Sequence, residues 1–146
     1  MIRPDLRLVR NAGISAMELR AGITHYLERK AARGLAAWLL AQPGARTTRA
    51  VFAALADKDA AAMVDALAGS LAGWHLAGLD GMARGQDVEA FAARLTSTAA
   101  ATASRDARVA DALARALAAA APGDRVLVFG SFHTAAAALA ALHSAA

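Results

Sequence analysis

Hydrophobic and polar positions alternate between two kinds of run along this chain. The short kind reads as strand: R-V-L-V-F at 125–129, whose V-L-V-F is apolar on both faces, R-A-V-F-A-A-L at 49–55 and W-H-L-A-G-L at 74–79. A run like V-L-V-F, short, β-rich and without a polar face, is what a strand covered on two sides requires. The longer kind has helical spacing. Val109, Leu113 and Leu117 recur every four residues between Ser104, placed to cap a helix, and Pro122-Gly123, placed to end it; a helix is predicted over about 106–121. Met63, Val64, Leu67 and Leu71 share a second helical face, and Val88, Phe91 and Leu95 a third. Further helices are predicted at 31–41, before Gln42-Pro43-Gly44, and at 134–143, while 96–103 reads as a loop or a weak edge strand.

Strands alternating with helices at this spacing imply one α/β domain, Rossmann-like and three-layered, with a mainly parallel (mixed) sheet and helices on both faces. In such a sheet the loops leaving the carboxyl ends of the strands lie along one edge, where ligands bind. Three loops are thereby expected to converge: A-D-K-D (56–59), D-G-M-A-R-G-Q (80–86) and G-S-F-H-T (130–134).

Length supports a single compact domain: 146 residues can bury roughly 70% of the unfolded surface. The 45 alanines blunt the helical signal, since alanine suits either face of a helix. No cysteine is present, which excludes disulfides and thiolate metal sites. No apolar run approaches the roughly 20 residues of a membrane span, and the N-terminal M-I-R-P-D-L-R-L-V-R lacks the apolar core of a signal peptide; a cytoplasmic protein is expected. The net charge of +4 is scattered along the chain and aromatics make up 5% of it, so nucleic acid is not an expected partner.

The residues exclude several chemistries. Neither Lys30 nor Lys58 completes a G-x-x-x-x-G-K-[ST] loop, no G-x-G-x-x-G follows a strand, and there is no G-x-S-x-G elbow. His25, His75, His133 and His143 lack metal-ligand spacing, so no metal site is expected. What the loops do offer is a seat for an anion. The turn after Gly130 opens a helix whose first N–H groups are unpaired, and Ser131 adds a hydroxyl donor. The alternative is that Ser131 or Thr134 only caps the helix and His133 packs at the sheet edge. Asp57, Lys58 and Asp59 follow a strand, Asp59 being a natural N-cap, and Arg84 could offer its planar fork to a carboxylate.

The stretches V-F-A-A-L-A-D-K-D-A-A-A-M-V-D-A-L, W-H-L-A-G-L-D-G-M-A-R-G-Q and A-P-G-D-R-V-L-V-F-G-S-F-H-T-A-A-A-A-L occur here in order. Together they resemble the C-terminal domain of bacterial folylpolyglutamate synthase/dihydrofolate synthase, a relative of the Mur ligases, over residues 31–146. The resemblance implies an ATP-dependent ligase that phosphorylates a folate or dihydropteroate carboxylate and couples it to L-glutamate. ATP and magnesium belong there to a separate P-loop domain; the sequence expectation is that this chain binds neither and is inactive by itself. Ser131 and His133 are then expected at the glutamate, with Lys58 and Asp57 on the neighbouring loop and Arg84 and Gly130 as further anion contacts. The family's Asp-x-Ala-His-Asn-Pro-like opening is missing, and His25 is a poor echo of it. Residues 1–30 are therefore expected to be either a diverged hairpin or an altered segment. The competing expectation is a non-catalytic α/β binding module, with an apolar face that docks an ATP-binding domain or pairs two copies as a homodimer.

Overall fold

The computed structural model describes residues 33–37, 39–41 and 47–145. Four strands build the sheet: β1 (Thr48–Phe52), β2 (Gly73–Ala77), β3 (Ser104–Asp106) and β4 (Arg125–Phe129). Their order is β3-β2-β1-β4 and every pairing is parallel. The mixed sheet allowed by the sequence is therefore a wholly parallel one among the described residues. Between the strands run α1 (Ala60–Leu67), a short 3-10 turn (Ala68–Ser70), α2 (Val88–Ala93) and α3 (Val109–Ala119), and α4 (Phe132–Ala145) follows β4. Residues 33–37 and 39–41 are helical as well.

Alternation along each strand sorts the core into two layers. Ala50 and Phe52, Trp74 and Leu76, Leu127 and Phe129 face α1, α2 and the helical residues Leu35 and Leu39. Val51, Ala53, Ala77, Val126 and Val128 face α3 and α4 on the other side. Burial on both faces is why these strands read as unbroken apolar runs. The first layer is filled by aromatics: Phe52 stacks on Phe129 with centroids 4.5 Å apart and meets Phe91 and Trp74 edge-on at 5.1 and 5.8 Å. The second is filled by small residues, Ala112, Ala116 and Ala138 among them, so α3 and α4 can lie close to the sheet. No helix among the described residues is long and apolar enough to cross a membrane.

β4 and β2 lie where the pattern places them, with β2 starting one residue early and ending two early. The helix predicted from 106 begins instead at Val109, and Ser104 does not cap it. Ser104, Arg105 and Asp106 form the edge strand β3, in register with His75, Leu76 and Ala77. Their polar side chains are spent there: Ser104 Oγ lies 2.7 Å from His75 Nδ1, and Asp106 takes a two-pronged contact from Arg115 at 2.9 and 3.0 Å. Residues 96–103 are turns that lead into this strand. The hydrogen bonds from Arg115, together with its charge, hold the Asp106 carboxyl below its ordinary range against the upward push of burial.

His75 is buried in the strand, as the sequence suggests, and titrates abnormally low. Burial is the main cause; the charges of Arg49 and then Arg115 add to it, and Asp106 opposes them. A histidine with a depressed native pKa binds fewer protons folded than unfolded, so its contribution is complete above its ordinary value, about 6.5, and is lost as pH falls below that. The melting temperature of the chain is expected to drop between pH 7.5 and 5. Replacing His75 with glutamine should flatten that slope, as read by thermal denaturation across the interval. An unchanged slope would show that other groups set it.

Candidate functional site at the carboxyl edge

The strand order fixes where a site can form. From β1 the chain moves outward through β2 to β3 by way of α1 and α2 on one face, then returns under the sheet through α3 to β4 on the far side of β1. Neighbouring strands β1 and β4 send their following helices to opposite faces, so their carboxyl ends diverge into a crevice. The loops 53–59 and 130–131 form its walls.

β1 ends at Phe52, three residues earlier than the apolar run, yet Ala53, Ala54 and Leu55 remain buried. Past the end of the ladder their backbone finds other partners. The Ala53 N–H donates to the Phe129 carbonyl at 3.3 Å. Its own carbonyl accepts the Thr134 hydroxyl at 2.7 Å, and the Ala54 carbonyl accepts Gln86 Nε2 at 2.9 Å. Ala56 N–H donates to the Arg84 carbonyl at 2.7 Å. The three loops expected to converge are thus stitched to one another through the chain that leaves β1.

Gly130 lies at the bottom of the crevice. Its φ of +122° is one that glycine adopts freely, and a β-carbon there would stand 2.2 Å from the Ala53 carbonyl oxygen. Ser131 then caps α4: its Oγ accepts from the Thr134 N–H at 3.0 Å and lies 2.7 Å from Thr134 Oγ1. Because the Thr134 hydroxyl hydrogen goes to a carbonyl, which can only accept, the hydrogen shared between the two hydroxyls must be that of Ser131. The sequence reading made Ser131 a donor to a ligand; its one hydrogen is already committed, and what it can still offer is a lone pair. Ser131 is the cap of α4 and remains half-exposed at the mouth of the turn. His133 is exposed beside it, as is Phe132 at 48%.

On the opposite wall Asp59 caps α1, its carboxylate accepting the Ala62 N–H at 3.2 Å. Asp57 pairs with Arg84, Nη1 to Oδ2 2.6 Å, both being exposed. Burial pushes the Asp57 carboxyl up, but the hydrogen bond and charge of Arg84, with the charge of Lys58, outweigh it and hold the group below its ordinary value. Arg84 has a positive φ of 61°, a left-handed turn that aims its fork across the loop at Asp57. Lys58 is half-buried, its N–H bonded to the Leu55 carbonyl at 3.1 Å. Its carbonyl accepts from Arg94 Nη2, while Arg94 Nη1 is buried with no acceptor among the described residues.

Of the residues singled out in the sequence, Asp57 and Arg84 are brought into contact, Lys58 lies beside them, and Gly130, Ser131 and His133 follow β4 on the other wall. His25 and the segment 1–30 lie outside the described residues. Thr134 and Gln86 lie in loops the sequence places at this edge, but their bonds to the chain leaving β1 are not read from it, and Arg94 is not placed there at all. A hydroxyl at the third position of a helix, a loop glutamine and an arginine ending a helix all look solvated until the strand order puts a carbonyl opposite each.

Comparison with known proteins agrees with this architecture. Residues 28–132 match the family model described as Mur ligase, glutamate ligase domain. FolC of E. coli, solved with DHPP and ADP, is 32% identical with a TM-score of 0.70, over 80% of this chain and 27% of that one. The bifunctional folylpolyglutamate synthase/dihydrofolate synthase of Yersinia pestis is 36% identical with a TM-score of 0.67, over 79% and 26%. A structure of an enzyme of the same description, with Mn, AMPPNP and L-glutamate bound, is 35% identical, again with a TM-score of 0.67, over 79% and 27%. This chain therefore spans about a quarter of the length of the structures it resembles. No curated protein matches it.

Proposed function

Because the chain belongs to the family of Mur ligase glutamate ligase domains, we propose that it serves as the glutamate-binding domain of an ADP-forming ligase of the folylpolyglutamate synthase/dihydrofolate synthase type. The reaction would activate a folate or dihydropteroate carboxylate as an acyl phosphate and join it to the amine of L-glutamate. The observation that carries this reading is the crevice between β1 and β4, where a capped helix start faces a loop bearing Lys58.

The chain's own part is to bind and orient. The first turn of α4 directs amide dipoles at the mouth of the crevice, which favours a carboxylate. The uncommitted lone pair on Ser131 suits the ammonium of an amino acid better than its carboxylate, so Ser131 would accept from the glutamate amine and the turn would take an acidic group. Lys58, Asp57 and Arg84 form the opposite wall, and His133 flanks Ser131. Holding the amine at a fixed angle to an acyl phosphate supplies rate by positioning.

ATP and magnesium fit this chain poorly. It has no P-loop, and among the described residues no group of three or more His, Asp or Glu side chains could hold a metal ion. In a ligase of this type the nucleotide and metal would be held by another domain. Exposed Phe132, at the start of α4, and Met82, on the loop 80–86, would give that domain apolar footing.

Titration of the 146-residue chain with L-glutamate, followed by backbone amide shifts, tests the reading. Saturable perturbation of Gly130, Ser131 and Lys58 at millimolar ligand is expected. Ser131→Ala should weaken it by several-fold and cost about 1 kcal/mol of stability through the lost cap. Silence at those three positions in the wild-type chain would refute glutamate binding here.

A further inference from the structure

A second cleft opens at the other end of the sheet, along the amino ends of β1, β2 and β3, with a volume of about 360 Å³. It is distinct from the crevice of the proposed glutamate site, which lies beyond the carboxyl ends of the strands.

Arg49 supplies its charge. From β1 the side chain lies across β2 at Gly73, where a β-carbon would stand 2.6 Å from Nη1; a side chain at that position would push the guanidinium aside. Nη1 then reaches His75 Nε2 at a long 3.5 Å. Among the described residues no carboxylate pairs with Arg49, and its Nε is buried without an acceptor. The other arginines of the α3 side behave differently: Arg108 and Arg115 both close a two-pronged contact on an aspartate. A half-buried guanidinium left without an anion is a costly arrangement unless something supplies one.

Proton placement on His75 extends the donor set. Facing an arginine, which can only donate, Nε2 must be the bare nitrogen, and Nδ1 carries the hydrogen. Nδ1 donates to Ser104 Oγ at 2.7 Å, so the Ser104 hydrogen is left to point elsewhere. Ser104 lines the cleft, and Thr102 adds another hydroxyl at its rim. The remaining walls are apolar, including Leu71, Ala103 and Trp74.

We propose that this cleft binds a small organic monocarboxylate, its carboxylate held by Arg49 and Ser104 and its carbon chain lying against the half-buried Leu71 and Ala103. One cation matches one negative charge, whereas a phosphate dianion would be under-neutralised. The volume also exceeds what a bare ion fills: at roughly 30 Å³ per water it would hold about a dozen waters.

The test uses the full 146-residue chain, sodium butyrate as probe, and inorganic phosphate at matched ionic strength as comparison, with amide shifts and the Arg49 Nε–H resonance as readout. Butyrate should shift Gly73, His75, Ser104 and the Arg49 Nε–H along one saturable curve without moving Gly130 or Ser131. Arg49→Gln should weaken binding at least about tenfold, the size expected for a lost charge-assisted hydrogen bond. Should that variant not fold, Ser104→Ala should still show several-fold weakening. The proposal is overturned if butyrate gives no saturable shift, if phosphate binds as well or better, or if the substitution that folds binds butyrate like the wild type. None of these outcomes depends on glutamate binding at the opposite edge.

Discussion

Alanine at position 130 is expected to destabilise the protein by about 3 kcal/mol or more and to abolish any response of the β1–β4 crevice to L-glutamate. Two costs add. A residue with a side chain must hold a φ of +122°, and its β-carbon must find room where the Ala53 carbonyl oxygen stands 2.2 Å away. The oxygen cannot retreat cheaply, because it is the acceptor for the buried Thr134 hydroxyl. Moving it leaves two buried polar groups unmet, or swings the start of α4 away from β1. Urea denaturation of the two proteins would measure the difference, and the thermal midpoint should fall by roughly 10 °C. A Gly130→Ala protein within about 0.5 kcal/mol of the wild type would mean that β1 and β4 do not end in this close approach.

That same contact shows where a sequence stops being legible. β4 is visible residue for residue in R-V-L-V-F, because a strand buried on both faces carries its environment in its own composition. The loops at the carboxyl edge are visible for a similar reason: strand, glycine and helix follow one another within a few residues. The partners across the crevice are not visible. Ala53 and Thr134 are 81 positions apart, Gln86 and Ala54 are 32, and Arg84 and Asp57 are 27. Which of these meet is decided by strand order, and an order of β3-β2-β1-β4 leaves no local trace in the chain.

The edge strand fails for a different reason. Three residues, S-R-D, are too few to show a period, and Ser104 and Asp106 are cap formers, so helix-start logic claims them first. The ladder to β2, the His75–Ser104 bond and the Arg115–Asp106 pair outweigh that local preference. The helix is displaced to Val109, and Arg108 at its start provides no side-chain cap. The chemistry assigned to Ser131 shifted on a subtler point. Spacing can place a hydroxyl at a helix start, but whether it donates or accepts depends on where the neighbouring hydroxyl sends its hydrogen.

Phe52→Ala should produce the other large effect, a loss of about 3–5 kcal/mol. Phe52 is fully buried and touches three aromatic rings, stacked on Phe129 and edge-on to Phe91 and Trp74. Each such pair adds about 0.5–1.5 kcal/mol beyond simple burial, and the cavity left behind is lined by rigid rings that cannot collapse into it. Against a total stability of roughly 5–15 kcal/mol for a domain, this is a large share. The consequence for the site follows from position: Phe52 is the last residue of β1, and the chain turns directly from it into Ala53. Loosening the ring should speed amide exchange at Ala53, whose N–H reaches Phe129 at 3.3 Å, and weaken glutamate binding with it. Leu139→Ala, at a leucine 46% exposed on α4, is the control and should change stability by no more than about 0.5 kcal/mol. If the two substitutions cost the same, the aromatic layer is not what holds the two walls of the crevice in place.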